Sequence, residues 1–376
     1  MARLEDICSI NMGQSPKSSS YNENGEGMPF FQGNADFGEL HPKVRIWCNA
    51  PTKIAECGDI LISVRAPIGA LNIADKRCCI GRGLAALTVN ETLCSPKYLW
   101  YGLECKVDEL NSKGTGSTFK AINKKTLAET EIPLPPLEEQ RRIAALLNKV
   151  SDLIAKRRAQ LDKLDLLVKA QFVEMFGDPD DNPMNWKVSE LGNHLEIVGG
   201  YAFKSEGFVD SGIPVLRIGN INSGRFLPVN MVYWPDDPVL VRYKMYPGDL
   251  VMSLTGTVGK DDYGNVCILS DEYPEYYLNQ RNAKLAIRAT LNKYYLSELL
   301  KFSKIKKRLT GISRGVRQAN ISNRDILALC VPLPPIELQG QFATFVKQTQ
   351  KSKLTIQQSL DKLEMLKKAL MQVYFG

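Results

Sequence analysis

Apolar residues recur every three or four positions through the middle of the chain, from residue 134 to residue 177. This spacing is that of a heptad repeat in which only Arg157 and Gln171 are polar. Its apolar members are Ile143, Leu147, Val150, Ile154, Leu161, Leu164, Val168 and Met175. The pattern predicts a helix of about forty residues, roughly 60 Å long, that buries one stripe against a second helix.

The C-terminal segment repeats this pattern. Aligned without gaps, residues 132–177 and 331–376 share sixteen identities, including "PLPP", one glutamine (Gln140 and Gln339) and the closing Phe-Gly. The equivalent apolar positions are Phe342, Val346, Ile356, Leu360, Leu363 and Leu370. Here the apolar face is expected to shift sideways onto Leu354 and Leu366. A proline pair suits a helix start and glycine suits a helix end, so each copy predicts one helix.

The segments before the two helices also resemble each other. "GDILIS" (58–63) aligns with "GDLVMS" (248–253), and "GRGLAAL" from residue 81 aligns with "QRNAKLAI" from residue 280. Short apolar runs between Gly and Pro are typical of strands, and they alternate with amphipathic stretches. We predict an α+β protein with two mixed α/β domains joined by a long antiparallel two-helix coiled coil, with an internal pseudo-two-fold repeat. A separate surface helix in each domain is the alternative.

The predicted segments follow from these motifs. They are a first domain (1–133), a central coiled-coil helix (134–177), a linker (178–186), a second domain (187–332) and a C-terminal coiled-coil helix (333–376).

Composition excludes several classes of protein. The chain has 376 residues, 44% of them hydrophobic and 24% charged, which is typical of globular domains. Neither an apolar run of membrane-spanning length nor the layout of a signal peptide occurs in the sequence. Nine cysteines without a C-x-x-C pair agree with a reducing compartment. We therefore expect a cytoplasmic protein without a membrane partner.

Motifs for catalysis and metal binding are missing from the sequence. There are two histidines, His41 and His194, and neither zinc spacing nor a phosphate loop occurs. The two Pro-Asp pairs lack the downstream Asp/Glu-x-Lys of a common nuclease centre, and "NPMN" lacks the second proline and the aromatic of an amino-methyltransferase motif. These observations predict a binding protein with no catalytic residue and no metal site.

Positive charge is concentrated before each proline-led helix. Net charge is +7, and residues 301–324 hold eight basic residues and no acidic one. Phosphate contacts are therefore predicted at Lys113, Lys120, Lys124, Lys304, Lys306, Lys307 and Arg308. A solvated helix face is the alternative explanation of such a run.

Reading base edges requires planar hydrogen-bonding groups, which arginine and amide side chains supply. The candidates are Arg65, Arg82, Arg217, Arg225, Arg281, Arg314, Arg317 and Gln318. The 199-residue offset of the repeat makes Arg82 and Arg281 equivalent in this alignment.

With its "PLPPxExQ" helix starts, its "GDILISVRAPIG" and "CIGRGLAAL" runs and its double layout, the chain resembles, along its whole length, the specificity subunits of type I DNA restriction-modification systems. The resemblance implies two target-recognition domains, each reading one half of a bipartite site in double-stranded DNA. It implies that the helices set the spacing and dock two methyltransferase subunits, and that restriction/translocase subunits join them.

The same resemblance assigns S-adenosylmethionine, ATP and Mg to the partner subunits and no cofactor to this chain. The chain starts directly at the first domain, so assembly is expected to rely on the two helices present. Two alternatives stay open, a coiled-coil scaffold without DNA reading and a self-sufficient DNA-modifying enzyme with an unrecognised motif.

Overall fold

The first half of the chain is built around a four-stranded antiparallel sheet. The structure is a computed structural model and describes residues 1–116, 120–222, 224–260, 262–311 and 318–376. It divides into two units, the first of which comprises Met1–Ala159 and Gln357–Gly376. The first five helices are α1 (Leu4–Ile7), α2 (Pro96–Cys105), α3 (Val107–Ser112), α4 (Lys124–Ala128) and α5 (Leu137–Phe176).

Eleven strands precede α5 in the described residues. They are β1 (Ala2–Arg3), β2 (Cys8–Met12), β3 (Tyr21–Asn22), β4 (Met28–Phe31), β5 (Ile46–Cys48), β6 (Ile54–Ala55), β7 (Ile60–Ser63), β8 (Leu71–Ile73), β9 (Cys78–Ile80), β10 (Leu84–Val89) and β11 (Glu131–Ile132). The four-stranded sheet has the order β2-β10-β7-β8, and a five-stranded sheet has the order β3-β5-β4-β9-β6. Strands β1 and β11 form a separate pair.

Strand β7 shows how the layers pack. Its residues alternate, so that Ile60 and Ile62 face a cluster that includes Tyr98 of α2 and Phe375 near the C-terminus. Leu61 faces the other way, toward a cluster with strands of the five-stranded sheet. Because successive side chains of a strand point to opposite faces, one continuous apolar run serves two cores.

The second unit, Gln160–Ile356, repeats this arrangement. Its strands are β12 (Lys187–Glu190), β13 (Leu195–Gly199), β14 (Ile213–Leu216), β15 (Val232–Trp234), β16 (Lys244–Met245), β17 (Leu250–Ser253), β18 (Thr255–Thr257), β19 (Val266–Ile268), β20 (Tyr276–Leu278), β21 (Asn282–Ile287), β22 (Gln318–Asn320) and β23 (Cys330–Leu333). Its helices are α6 (Lys293–Leu299), α7 (Ser303–Thr310) and α8 (Asn323–Leu327), followed by the long α9 (Ile336–Phe375).

The sheets of the second unit match those of the first in order. A sheet β13-β21-β17-β19 corresponds to β2-β10-β7-β8, and a sheet β15-β14-β20-β16 corresponds to β5-β4-β9-β6. Strands β12 and β23 pair, as do β18 and β22. The predicted mixed α and β fold with two units is confirmed.

The two long helices are shared between the units. In the first unit, Ile143 and Leu147 of α5 join one core cluster with Phe375 of α9. In the second unit, Phe172 of α5 lies in one cluster with Phe342 of α9. The beginning of one helix therefore lies against the end of the other in each unit.

Ion pairs follow the same antiparallel direction. Arg158 donates to Glu364 at 2.6 Å in the first unit, and Lys353 pairs with Asp165 in the second. The helix residues of the heptad pattern are buried or half-buried at every position from Ile143 to Met175 and from Phe342 to Tyr374. The expected sideways shift is wrong, because Leu354 and Leu366 are 60% and 46% exposed and the stripe continues straight through Leu360 and Leu363.

Both long helices begin three residues later than expected, at Leu137 and Ile336 rather than at 134 and 333. Each proline pair precedes its helix, and the carbonyl of Pro136 accepts the first helical bond from the Gln140 N–H at 3.1 Å. The first helix ends as predicted, since Gly177 follows it with a positive φ of 80°.

Candidate nucleic-acid interface

Three segments of the first unit meet where strand β7 ends. The Val64 N–H donates to the Gly83 carbonyl at 2.9 Å, the Ala66 N–H donates to the Lys120 carbonyl at 3.0 Å, and the Ile122 N–H donates to the Val64 carbonyl at 2.9 Å. We call residues 64–66, 82–84 and 120–122 the first junction. It brings together three of the predicted DNA contacts, Arg65, Arg82 and Lys120, all of which are exposed.

The same backbone framework occurs in the second unit. The Leu254 N–H donates to the Arg281 carbonyl at 2.8 Å, and the Ile321 N–H donates to the Leu254 carbonyl at 2.8 Å. We call residues 254–257, 280–282 and 319–321 the second junction. Thr255 pairs with Asn320, as Arg65 bridges to Ala121 in the first unit.

Strand register corrects the expected equivalence of Arg82 and Arg281. Leu84 lies opposite Ser63 in the first unit, whereas Asn282 lies opposite Ser253 in the second. The structural offset at this strand is therefore 198 residues rather than 199, since 282 − 84 = 198. Arg281 takes the place of Gly83.

The two junctions consequently carry different polar side chains on one framework. The first unit presents Arg65 just after β7 and Arg82 two residues before β10, whereas the second presents Arg281 directly before β21. Thr255 stands where the first unit has Arg65, and Ala319 stands where it has Lys120.

The second junction also contains a cleft that sequence reasoning missed. Its volume is about 340 Å³, and its lining residues are Ile218, Asn222, Thr255, Gly256, Thr257, Asp262 and Arg281. The Thr257 N–H donates to the Asp262 carboxylate at 2.8 Å, which lowers the pKa of that carboxyl group. Of the lining residues, Arg281 alone was predicted, because threonine, asparagine and aspartate are too common for their types to mark a site.

Two further predicted arginines of the second unit lie on a loop beside β14. The guanidinium of Arg217 donates to the carbonyl of Asn230, so this side chain braces the loop. Buried Asn220 donates to the carbonyls of Leu227 and Val229 at 3.0 and 2.9 Å and thereby holds the same loop, on which Arg225 is exposed. Arg314 and Arg317 lie outside the described residues, and of Gln318 only the backbone is described, in β22.

Helix α7 carries the basic residues of the second unit. Lys304 and Arg308 face Asp180 of the linker, with nitrogen–oxygen distances of 3.9 and 3.1 Å. A cleft of about 550 Å³ there is lined by Asp180, Asp181, Lys304, Lys307 and Arg308. The linker carboxylates thus offset part of this positive charge.

Lys306 differs from its neighbours in being buried. Only 9% of its surface is exposed, and its ammonium donates to the Asn265 side chain at 2.6 Å. Lys306 follows Ile305 on the core side of α7, so its predicted place among surface phosphate contacts does not agree with its position.

The basic residues of the first unit are more dispersed. Lys113 donates to Glu109 at 2.6 Å, and together with Lys106 it holds the pKa of that carboxyl group below its ordinary value. Lys124 is exposed in the first turn of α4. In sequence, Lys113 precedes Lys120 of the first junction and Lys124 follows it.

The repeated glutamine of "PLPPxExQ" fastens each long helix to its unit. Gln140 is fully buried, accepts from the Ser95 N–H at 2.9 Å and donates to the Leu93 and Pro135 carbonyls at 3.0 and 2.8 Å. Gln339 accepts from the Asn292 N–H at 2.8 Å in the same way. The motif therefore joins the helix start to the segment that leads into α2 or α6.

Neither a cluster of metal ligands nor a membrane-spanning helix occurs in the described residues. Within residues 1–116, 120–222, 224–260, 262–311 and 318–376, no three or more His, Cys, Asp or Glu side chains cluster as metal ligands would. In the same ranges no helix combines the length and the apolar character that a membrane span requires.

Comparison with known proteins agrees with the fold. The family model described as the type I restriction modification DNA specificity domain matches residues 1–164 and 183–365. The type I restriction-modification S subunit of M. genitalium, a solved structure, aligns with a TM-score of 0.63 at 16% identity, covering 100% of this chain and 95% of that one. At that identity the likeness shows the fold.

Two archaeal relatives, both from Methanocaldococcus jannaschii, are similar in sequence. The putative type I restriction enzyme MjaX specificity subunit is 46% identical over 161 residues, which is 43% of this chain and 38% of that protein. The MjaVIII specificity subunit is 28% identical over 296 residues, 73% of this chain and 68% of that protein. The resemblance found in the sequence motifs is confirmed, and the chain belongs to the family of type I restriction-modification specificity subunits.

Proposed function

We propose that this chain is the sequence-reading subunit of a type I restriction-modification complex and that each unit reads one half of a bipartite site in double-stranded DNA. The observation that carries the proposal is the pair of junctions. One backbone framework presents Arg65, Arg82 and Lys120 in the first unit, and Thr255 and Arg281 in the second. A shared framework with different hydrogen-bonding groups suits two readers of different half-sites.

Phosphate contacts belong to a second group of residues. Lys113 and Lys124 in the first unit, and Lys304, Lys307 and Arg308 in the second, are exposed on segments next to the junctions in sequence. Phosphate contacts position a protein on DNA without reading its sequence. Lys306 is buried and does not belong to this group.

The reading domains in this proposal are residues 1–133 and 187–332, with residues 178–186 as their linker. The helices α5 and α9, which lie within residues 134–177 and 333–376, form one antiparallel coiled coil with pseudo-two-fold symmetry and set the spacing of the two half-sites. Burial within each unit supports this role, because the heptad positions of both helices are buried or half-buried there.

Exposed apolar residues on the helices mark docking faces for two methyltransferase subunits. The first unit exposes Leu146, Leu153, Met365, Leu366 and Val373, and the second exposes Leu166, Leu167, Val173, Ile336 and Leu354. Five large apolar residues in each unit, drawn from both helices, suit one partner per unit. Restriction/translocase subunits join the complex as well. S-adenosylmethionine, ATP and Mg belong to these partner subunits, and this chain has no catalytic role.

The test of DNA contact is a salt series. The complex of this chain with its methyltransferase subunits is titrated with DNA from its host genome in a filter-binding assay at increasing salt. DNA contact through phosphates predicts that affinity falls steeply with salt. A scaffold without DNA reading would leave the affinity equal to that of the methyltransferase subunits alone at every salt concentration.

A further inference from the structure

The cleft at the second junction is lined by residues with two polar atoms that lack a hydrogen-bond partner among the described residues. Asn222 and Thr255 both line it, and the Asn222 Oδ1 and Thr255 Oγ1 atoms are shielded from solvent without a hydrogen-bond partner among the described residues. Buried polar atoms in folded proteins are nearly always paired, so two unpaired atoms beside one cleft require an explanation.

Arg281 and Asp262 complete the lining. The Arg281 side chain is exposed and supplies hydrogen-bond donors, whereas the Asp262 carboxylate accepts from the Thr257 N–H and remains an acceptor. Gly256 lies against Asp262, and a Cβ at this position would collide with the Asp262 carboxylate. The cleft thus presents acceptors and donors side by side.

This combination indicates a base rather than a phosphate. A carboxylate repels a phosphate group, but it can accept a hydrogen bond from an exocyclic amino group. Asn222 Oδ1 can do the same once rotation of its side chain brings this shielded atom to the surface of the cleft. In the major groove, the amino group of adenine N6 lies beside N7 of the same base, and that of cytosine N4 lies beside O6 of the paired guanine. An arginine can contact either acceptor.

We infer that the cleft formed by Asn222, Thr255, Asp262 and Arg281 reads the exocyclic amino group of one base in the second half-site. The inference rests on the proposed function and assigns residues to one base position within it. The first junction cannot make the same contact, because it has Gly83 in place of Arg281 and Arg65 in place of Thr255. A substitution in the cleft should therefore change the reading of the second half-site alone.

The test compares three single variants in the complex with methyltransferase subunits. Thr255→Val removes the hydroxyl at nearly constant volume, and Asn222→Ala removes the acceptor. The matched control, Arg288→Ala, removes an exposed arginine that pairs with Glu196 at 3.1 Å, just beyond the opposite end of β21. Each complex methylates a plasmid library with randomised targets, and the methylated motifs are sequenced.

The expected result is a loss of discrimination at one base pair of the second half-site by roughly tenfold to a hundredfold in Asn222→Ala, and less in Thr255→Val. The first half-site, the salt slope and the Arg288→Ala motif stay unchanged. The inference is overturned if the wild-type complex methylates a bipartite motif and both cleft variants methylate the same motif. A wild-type complex that methylates no bipartite motif contradicts the proposed function itself.

A base analogue keeps the test decisive where a variant does not fold. In the wild-type complex, replacing the adenine or cytosine at that position with the analogue that lacks the amino group should weaken binding roughly tenfold or more. The two analogues distinguish adenine from cytosine. Each amino group of the second half-site is removed in a separate DNA. Undiminished binding to every one of these DNAs overturns the inference.

Discussion

The Arg308 guanidinium donates a hydrogen bond of 3.1 Å to the carboxylate of Asp180, which lies 128 residues earlier in the chain. The Asp180 side chain is 9% exposed, so the linker after α5 is fastened to the basic helix α7. Arg308 therefore has a structural partner, whereas Lys307, its exposed neighbour, lies in the same cleft without an ion pair among the described contacts.

This difference predicts that two neighbouring substitutions diverge. Lys307→Ala should weaken binding to all DNA sequences alike and make the salt slope shallower by about one, without changing stability. Arg308→Ala should do the same and also lower the free energy of unfolding by up to about 1 kcal/mol, because it leaves Asp180 with a weaker partner. Filter binding across salt concentrations and urea unfolding measure the two effects. Equal stability of the two variants would show that the linker contact is unimportant.

Gln140 provides a prediction about the repeated motif. Gln140→Leu should lower the free energy of unfolding of the first unit by about 1–3 kcal/mol, because the Ser95 N–H and two carbonyls lose their buried partner. Gln358→Leu, at an exposed position of α9 in the same unit, serves as the control and should change stability by less than about 0.5 kcal/mol. The midpoints of urea unfolding measure this difference in stability. Similar midpoints for the two variants would contradict a fastening role.

His194 makes the stability of the second unit depend on pH. Burial, followed by the positive charges of Lys187 and Arg288, holds its pKa below the ordinary value of 6.5. The unfolded chain therefore binds a proton more readily than the folded chain does, so stability falls as the pH drops below 6.5 toward the lower folded pKa, where the loss ends. Between pH 7.5 and pH 5, the Tm of thermal unfolding should fall less in His194→Gln than in the wild type. An identical pH dependence in the variant would exclude His194 as its source.

The two long helices give a prediction about spacing. The ion pairs Arg158–Glu364 in the first unit and Asp165–Lys353 in the second show that the helices run antiparallel within each unit. Seven residues inserted after Gln160 and seven after Ser359 preserve the heptad stripe and lengthen each helix by about 10.5 Å.

The methylated motif of this variant should keep both half-sites and gain at most about three base pairs of unread spacer. Activity should fall, since every added pair also rotates the far half-site by roughly a tenth of a turn. A folded, active variant with its original spacer would show that the helices only dock partners.

Periodicity predicted the helices well because burial along a helix depends directly on residue spacing. The heptad positions from Ile143 to Met175 are buried or half-buried, as that spacing requires. The alignment without gaps paired Arg281 with Arg82, which is wrong because the offset between the repeats changes by one residue along the chain. Only strand pairing reveals that Arg281 replaces Gly83.

Individual polar side chains were less predictable than the elements that carry them. Lys306 is one of several lysines in a row, and its burial depends on the orientation of α7 and on Asn265, 41 residues earlier in the chain. The unpaired atoms of Asn222 and Thr255 likewise result from tertiary packing. Sequence spacing thus located the basic helix and named several residues of the two junctions, but it could not separate bracing residues from exposed ones.

The most direct test of the central claim exchanges residues 187–330 for the same unit of a relative that belongs to a complex with a different, known site. The methylated motif of the chimeric complex is then mapped on genomic DNA. If each unit reads one half-site, the motif keeps one half of the original site and takes one half from the relative, with the spacer unchanged. A motif in which both halves change, or neither does, would contradict the account.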